Sequence, residues 1–258
     1  MLALPNPGGE AVARAAAGLL RALGFGCWAL AGTLIIDERP RVALGLAAPS
    51  SVGGPAALPA ILGCLGLSQL LAWAVGAASG PGPVPAAVRA AAGASPSELA
   101  ALAVGAALAP AVAEEVLFRG VLLRALGRAL RPALAVCVSA LAFGVAHLQS
   151  GSAIAAGGLG VYLALVTRAS GGVRLAIACH AANNLLVLAL AALHDRALPA
   201  GLVVLWQLCC GAGLVATGVS LARAARRPGP GPGPGPGPGP GPGPGPGPGP
   251  GPGPGPGE

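Results

Sequence analysis

Seven stretches of this chain are apolar enough to enter a bilayer: residues 22–36, 56–79, 98–123, 132–149, 153–167, 173–193 and 199–222. Most approach the roughly 20 residues that a helix needs to span the hydrocarbon core. Inside lipid each backbone amide and carbonyl must be satisfied within its own segment, so such runs fold as helices. The expected fold is therefore all-α, a polytopic transmembrane bundle of seven or eight spans. An eighth arises if residues 11–36 or 86–97 contribute a further crossing. Composition excludes the soluble alternative: only 9% of residues are charged and 54% are hydrophobic, against about 25% charged in soluble domains. An Ala-rich soluble protein would need far more charge to cover its surface.

The breaks between runs carry recognisable stop and start signals. Residues 11–21 place Arg14 and Arg21 on one helical face, as an interfacial helix or the beginning of the first span. A polar turn, DERPR, closes the first apolar run, and a Gly/Pro-rich link covers 45–55. SGPGPVP at 79–85 breaks the second, and 86–97 is a loop or surface helix. SPSE at 95–98 reads as a helix start, with Ser95 as cap, Pro96 in the first turn and Glu98 at the third helical position. Pro110 is expected to kink the third span just before two carboxylates. The Gly-rich fifth run permits close helix contacts. The first apolar run lacks a small-residue cleavage site after it and is expected to be retained as a span.

All 15 basic residues are arginine, and the formal net charge is +7. They lie mainly in short loops between apolar runs, so they report topology rather than nucleic-acid binding. Arg39, Arg41, Arg124, Arg128, Arg131, Arg168, Arg174, Arg223, Arg226 and Arg227 fall on one side. Arg14, Arg21, Arg89 and Arg196 fall on the other. The richer side, with the C-terminus, is expected in the cytoplasm. The six cysteines lie within apolar runs with no CxxC pair, which suits small buried hydrophobes better than a disulfide or metal framework.

The informative residues are the polar ones inside these runs, because a charge at the bilayer centre costs about 2.5–3.5 kcal/mol on insertion scales. They are Glu114, Glu115, Arg119, His147, His180, Asn183 and Asn184, with Gln69 and Gln207 as lesser cases. In EEVLFR, Glu115 and Arg119 are four apart and share a helical face, where they can form an ion pair. Glu114 points about 100° away and has no partner on its own helix. Desolvation of such a carboxylate favours its use as a general base. A structural ion pair plus an interfacial acid fits the same residues. In FGVAH, Phe143 and His147 share a face near the end of a run. In HAANN, His180 and Asn184 share one, able to offer two donors to one oxygen, with Asn183 turned aside. Either histidine also fits as packing glue between helices. His194, in LHDR, reads as a solvated turn residue. An acid, two histidines and an amide on three apolar helices are together best served by one water-filled cavity.

In this order EEVLFR, FGVAH and HAANN fit EExxxR, FxxxH and HxxxN, and they resemble the CPBP family of intramembrane proteases, the type II CAAX prenyl endopeptidases and Abi-type proteins. The resemblance covers residues 98–190. It implies a helical membrane fold and peptide-bond hydrolysis in an intramembrane cavity. Glu114 would activate water with help from His147, and His180 and Asn184 would stabilise the oxyanion. Glu115, Arg119 and Phe143 would support them. The family label is metalloprotease, yet no HExxH helix is present, and a metal-free site is favoured. If a metal is used, the expected ligands are Glu114, His147 and His180, and zinc is the candidate. GxSG and GxGD motifs of other intramembrane proteases are also missing.

The chain accordingly divides into N-terminal spans and loops (1–97), a CPBP-like core (98–193), a last span with a basic end (194–227) and a Gly-Pro tail (228–258). The expected partners are a membrane-anchored protein or peptide substrate and the lipid bilayer, with no nucleic acid. The expected location is a bacterial inner membrane. A proton- or ion-coupled transporter is the alternative, although no internal repeat is visible. A non-catalytic scaffold is a third reading.

The tail alternates Gly and Pro with a period of two, so it is not collagen, which needs Gly at every third position. It is expected to be disordered and extended, because it has no apolar surface to bury. A chain ending at Arg227 should therefore insert and melt like the full chain, within about 1 °C in detergent by the weak effect expected of unpacked residues. A clear drop in melting temperature would show that the tail packs.

Overall fold

The computed structural model describes residues 7–36, 44–46, 57–80, 86–148, 153–193 and 198–226. The DERPR turn, most of the 45–55 link, PGPVP at 81–85, His194, Arg196 and the Gly-Pro tail lie outside the described residues. Eight helical elements make up the rest: α1 Pro7–Ile36, α2 Ala57–Ser79, α3 Ala86–Ala91, α4 Pro96–Ala129, α5 Pro132–Ala146, α6 Ala153–Ser170, α7 Arg174–Ala192 and α8 Ala200–Arg226. The described residues contain no strand. Six of the helices are long and apolar enough to cross a membrane, and α5 is a shorter apolar helix. The protein is a helical polytopic bundle, with seven apolar helices at the places the sequence indicated.

Three boundaries differ, each for a local reason. α1 begins at Pro7 rather than near residue 22, so 11–21 is the start of the first span. Glu10 lies 3.6 Å from Arg14 one turn on, which offsets a charge the helix would otherwise carry alone. α4 runs 34 residues, about 51 Å at 1.5 Å per residue, well beyond the span read from hydropathy. Its start is the expected capping box: Ser95 Oγ accepts from the Glu98 amide at 3.4 Å, and the Ser95 amide donates to Glu98 Oε2 at 2.7 Å. Conversely, α5 stops at Ala146, and His147 caps its end.

Lipid-facing rows, including Leu23, Trp28, Leu34, Trp73, Leu141 and Ile154, are exposed around the bundle. The interior is held by small residues, as expected where lipid and Leu are equally apolar. α4 packs along α1, and a Cβ at Gly105 would fall 2.8 Å from Ala15 Cα. α5 packs closely along α6, where a Cβ at Gly160 would lie 3.2 Å from Ala140 Cα. α2 meets α8 through Gly63, Gly66 and Gly213. Gln69 and Gln207 join that contact: Gln69 Oε1 accepts from Trp206 Nε1 and Gln207 Nε2, both at 3.3 Å. The cysteines divide between two environments. Cys64, Cys179 and Cys210 are buried, whereas Cys27, Cys137 and Cys209 face outward, against the expectation that all would be buried.

The backbone contact at Gly105 cannot give way as a flexible side chain could. Gly105→Val should therefore cost stability at or above the upper end of the about 1–3 kcal/mol typical of overpacking. Gly24→Ala, where the added carbon meets nothing within 4 Å, should be neutral or mildly stabilising. Thermal unfolding in detergent separates the two; equal melting temperatures would show that α1 and α4 do not depend on this approach.

Candidate active site

The middle of α4 alternates between α and π geometry: π over Ala103–Leu108, α over Ala109–Glu115, π over Val116–Leu122 and α over Leu123–Ala129. In the π stretches the bonds reach back five residues, from the Ala109 amide to the Val104 carbonyl and from the Leu123 amide to the Phe118 carbonyl. Pro110 has no amide to donate to the preceding turn. A π stretch, rather than a helix break, comes before it. The two carboxylates thus end a short α segment set between two wider turns, a feature that recurs at functional sites.

Glu115 and Arg119 are both wholly buried, and Arg119 Nη1 donates to Glu115 Oε1 at 2.8 Å. This is the expected ion pair, but it is one part of a larger arrangement. The same Oε1 accepts from His180 Nδ1 at 2.9 Å. Arg119 Nη2 donates to the Gly160 carbonyl of α6 at 3.2 Å, and its guanidinium carbon stands 4.2 Å from the Phe143 ring centroid. One carboxylate and one guanidinium therefore tie together α4, α5, α6 and α7.

Phe143 is the apolar counterpart of that tie. Its ring meets Phe118 edge-on at 5.2 Å, His147 at 4.6 Å and His180 edge-on at 5.7 Å, all between centroids. Both imidazoles are thus fixed against one buried ring. His147 Nδ1 donates to the Phe143 carbonyl at 2.8 Å. A carbonyl only accepts, so this bond places a proton on Nδ1 and turns Nε2 the other way. His180 is set the same way by the Glu115 carboxylate.

Both Nε2 atoms then face Glu114, which is 3% exposed. Glu114 Oε2 is 3.7 Å from His147 Nε2 and 3.9 Å from His180 Nε2. These distances are too long for direct hydrogen bonds. They suit a small group, such as water, held between the carboxylate and the two rings. The structure thus brings Glu114, His147, His180, Glu115, Arg119 and Phe143 together. Asn184 sits one turn beyond His180 on α7, and its amide donates to the Ala107 carbonyl in the first π stretch at 3.3 Å. His180 and Asn184 therefore do not aim free donors at one point here. Asn183 is not simply turned to lipid, since its Oδ1 is buried without a hydrogen-bond partner.

Two contributors escaped the reading from sequence. Ser139, wholly buried on α5, donates to the Phe118 carbonyl at 3.1 Å. It is the one hydroxyl within PALAVCVSALAFGVA, one turn before Phe143, and that isolation was the available signal. Gly160 contributes through its carbonyl, for which side-chain patterns carry no signal.

The donor set of two imidazoles and a carboxylate is chemically one that zinc accepts. Among the described residues, however, no three His, Cys, Asp or Glu side chains are arranged to hold a metal ion.

Residues 96–186 match a family model described as Type II CAAX prenyl endopeptidase Rce1-like. The match runs from the first turn of α4 into α7 and contains every side chain of the cluster, in agreement with the resemblance drawn from its three motifs. The matched segment is 91 of the 258 residues. No curated protein and no solved structure matches the chain.

Removing one member of a buried ion pair leaves the other uncompensated, at a cost of about 3–5 kcal/mol. Arg119→Ala should accordingly lower the melting temperature markedly, because Glu115 loses its cation and Phe143 its stacked guanidinium. Arg119→Lys keeps the charge but not the planar two-sided contact, and should fall between. Wild-type melting by Arg119→Ala in detergent would show that the pair does not hold the bundle.

Proposed function

We propose that the protein is an intramembrane endopeptidase that hydrolyses peptide bonds of membrane-anchored proteins or peptides with a water activated by Glu114. The observation that carries this reading is the placement of Glu114 Oε2 between two imidazole nitrogens at 3.7 and 3.9 Å, inside a cluster held by buried partners. A water there donates one proton toward Glu114 and is oriented by His147. Its oxygen attacks the substrate carbonyl carbon, and the carboxylate takes the proton. When the carbon–nitrogen bond breaks, that proton passes to the leaving amine. His180, held through Nδ1 by Glu115, would stand beside the developing oxyanion. For Asn184 to assist, it exchanges its bond to the Ala107 carbonyl for the substrate oxygen.

We place the chain in a bacterial inner membrane, with the arginine-rich end and the C-terminus in the cytoplasm, from the positive-inside rule. Substrate is expected to enter from the bilayer or its cytoplasmic surface. No step calls for a metal, although activity in the presence and absence of chelator tests that directly.

The test is purified full-length protein in liposomes, given a prenylated C-terminal peptide and unmodified transmembrane peptides. Wild type should release a fragment. Glu114→Gln, close in shape, should melt like wild type and lose at least about 10²-fold in turnover, the scale of general-base catalysis. Near-normal cleavage by folded Glu114→Gln would remove the proposed role. A transporter or a scaffold predicts no fragment with any of these peptides.

A further inference from the structure

Thr33, Ser68, Thr167, Thr217 and Ser220 each donate a hydroxyl to a carbonyl three or four residues back on their own helix, at 2.7–3.2 Å. That is the ordinary use of Ser and Thr in a helix interior. Ser139 departs from it. Wholly buried on α5, it donates across to the Phe118 carbonyl of α4, 21 positions away in sequence, at 3.1 Å. The same carbonyl accepts from the Leu123 amide, the bond that closes the second π stretch. One carbonyl thus has both lone pairs engaged, one along α4 and one toward α5.

In α geometry the Phe118 carbonyl would accept from the Leu122 amide, four residues on. The π stretch, a rare geometry, reaches one residue further. Returning to the α register would cost the carbonyl no backbone donor, since Leu122 would replace Leu123. A hydroxyl that draws the carbonyl toward α5 opposes that return. We propose that Ser139 is a positioning residue of the hydrolytic site: its hydroxyl holds the Phe118 carbonyl in the π register and so sets the aim of Arg119 and the two carboxylates. The proposal deepens the reading of Glu114 as the base and rests on it. The Phe118 carbonyl belongs to the peptide unit that leads into Arg119, so a change of register turns that unit. Arg119 has little freedom to follow, with Nη1 on Glu115 at 2.8 Å, Nη2 on the Gly160 carbonyl at 3.2 Å and its guanidinium carbon 4.2 Å from the Phe143 ring centroid. A displaced Arg119 disturbs Glu115, whose Oε1 also accepts from His180 Nδ1 at 2.9 Å. The other nitrogen of His180 is 3.9 Å from Glu114 Oε2. Ser139 also lies one turn before Phe143 on α5, so its bond fixes the edge contact of Phe143 with Phe118, 5.2 Å between centroids. A single hydroxyl thereby reaches the reacting groups by two routes, through α4 and through the Phe143 ring that both imidazoles meet.

The experiment uses the full-length protein in liposomes, isotope-labelled at phenylalanine carbonyl carbons and arginine nitrogens. Of the three phenylalanines only Phe118 precedes an arginine, while Phe25 and Phe143 precede glycines. One carbon–nitrogen correlation in the solid-state NMR spectrum therefore reports the Phe118 carbonyl alone. Ser139→Cys keeps nearly the same volume with a much weaker donor, so this signal should shift. Melting should stay within about 3 °C of wild type, the scale of one neutral hydrogen bond. On the peptides that wild type cleaves, kcat should fall at least about tenfold with KM within about twofold, as for lost alignment rather than lost binding. Ser139→Thr, which keeps the hydroxyl, should restore both the signal and kcat. If the thiol variant folds poorly, Ser139→Ala carries the same comparison. A shifted carbonyl signal with wild-type kcat overturns the proposal, leaving Ser139 as packing between α4 and α5. An unshifted signal in both variants overturns it too, since the hydroxyl would not hold this carbonyl. If wild type cleaves no peptide, the hydrolytic reading itself fails. The positioning claim is then decided by the ring nitrogens of His180, assigned against His180→Gln. Their resonances should move in Ser139→Cys if Glu115 is displaced, and resonances that stay in place overturn the claim.

Discussion

A carboxylate with no exposure to solvent, at the centre of a bundle whose helices are mostly Ala, Leu, Val and Gly, governs this structure. Glu115 takes an arginine from its own helix and a histidine from α7 on a single oxygen. In so apolar a setting a lone charge is very costly, so the helices that satisfy Glu115 cannot drift apart cheaply. Arg119 extends the same constraint to α6 through the Gly160 carbonyl and to α5 through the Phe143 ring. Small residues let the backbones come close, but such packing is weakly specific. The polar tie selects one arrangement among those that the glycines allow.

The same tie prepares the chemistry. Holding His180 by Nδ1 leaves its other nitrogen for Glu114, and the Phe143 carbonyl does the same for His147. Glu115 and Glu114 are neighbours in sequence but have opposite tasks. One takes two donors on a single oxygen, its Oε2 being buried without a partner; the other faces two rings at distances that leave room for a further molecule. Preorganised groups of this kind need little rearrangement at the moment of reaction. The π turns on either side of the pair change how the two carboxylates are aimed without breaking the helix. They leave both carboxylates on one continuous rod.

Much of this could be read from the sequence, because both the spans and the site depend on residue types that are rare in lipid. Hydropathy located seven apolar helices, and the capping residues placed the start of α4 at Ser95. The cost of burying polar groups singled out Glu114, Glu115, Arg119, His147 and His180. Other features depend on the backbone or on geometry between helices. Nothing in AVGAAL or VLFRGVL announces a π stretch, since neither side-chain period nor propensity distinguishes it over so few residues. Helical-wheel reasoning paired Glu115 with Arg119 but could not see His180, 65 positions away. It also left Asn184 and His180 as free donors, where the Ala107 carbonyl and Glu115 already accept from them.

The shortness of α5 bears on how water could reach such a buried carboxylate. Fifteen residues make a helix of about 22 Å, against a hydrocarbon core of about 30 Å. A crossing helix with that length cannot keep both ends at the membrane surfaces. α5 starts at Pro132, next to the arginine-bearing end of α4, so the shortfall falls at its other end, where His147 sits. His147 follows the last residue of that helix. Its side chain is about one-fifth exposed, whereas that of Glu114 is 3% exposed. The imidazole is thus the more accessible of the two, and a proton or water moving toward Glu114 meets it first. Extending α5 by a turn would bring its end closer to the far surface and displace His147 from Glu114, which ties the position of a reactive group to the length of a helix.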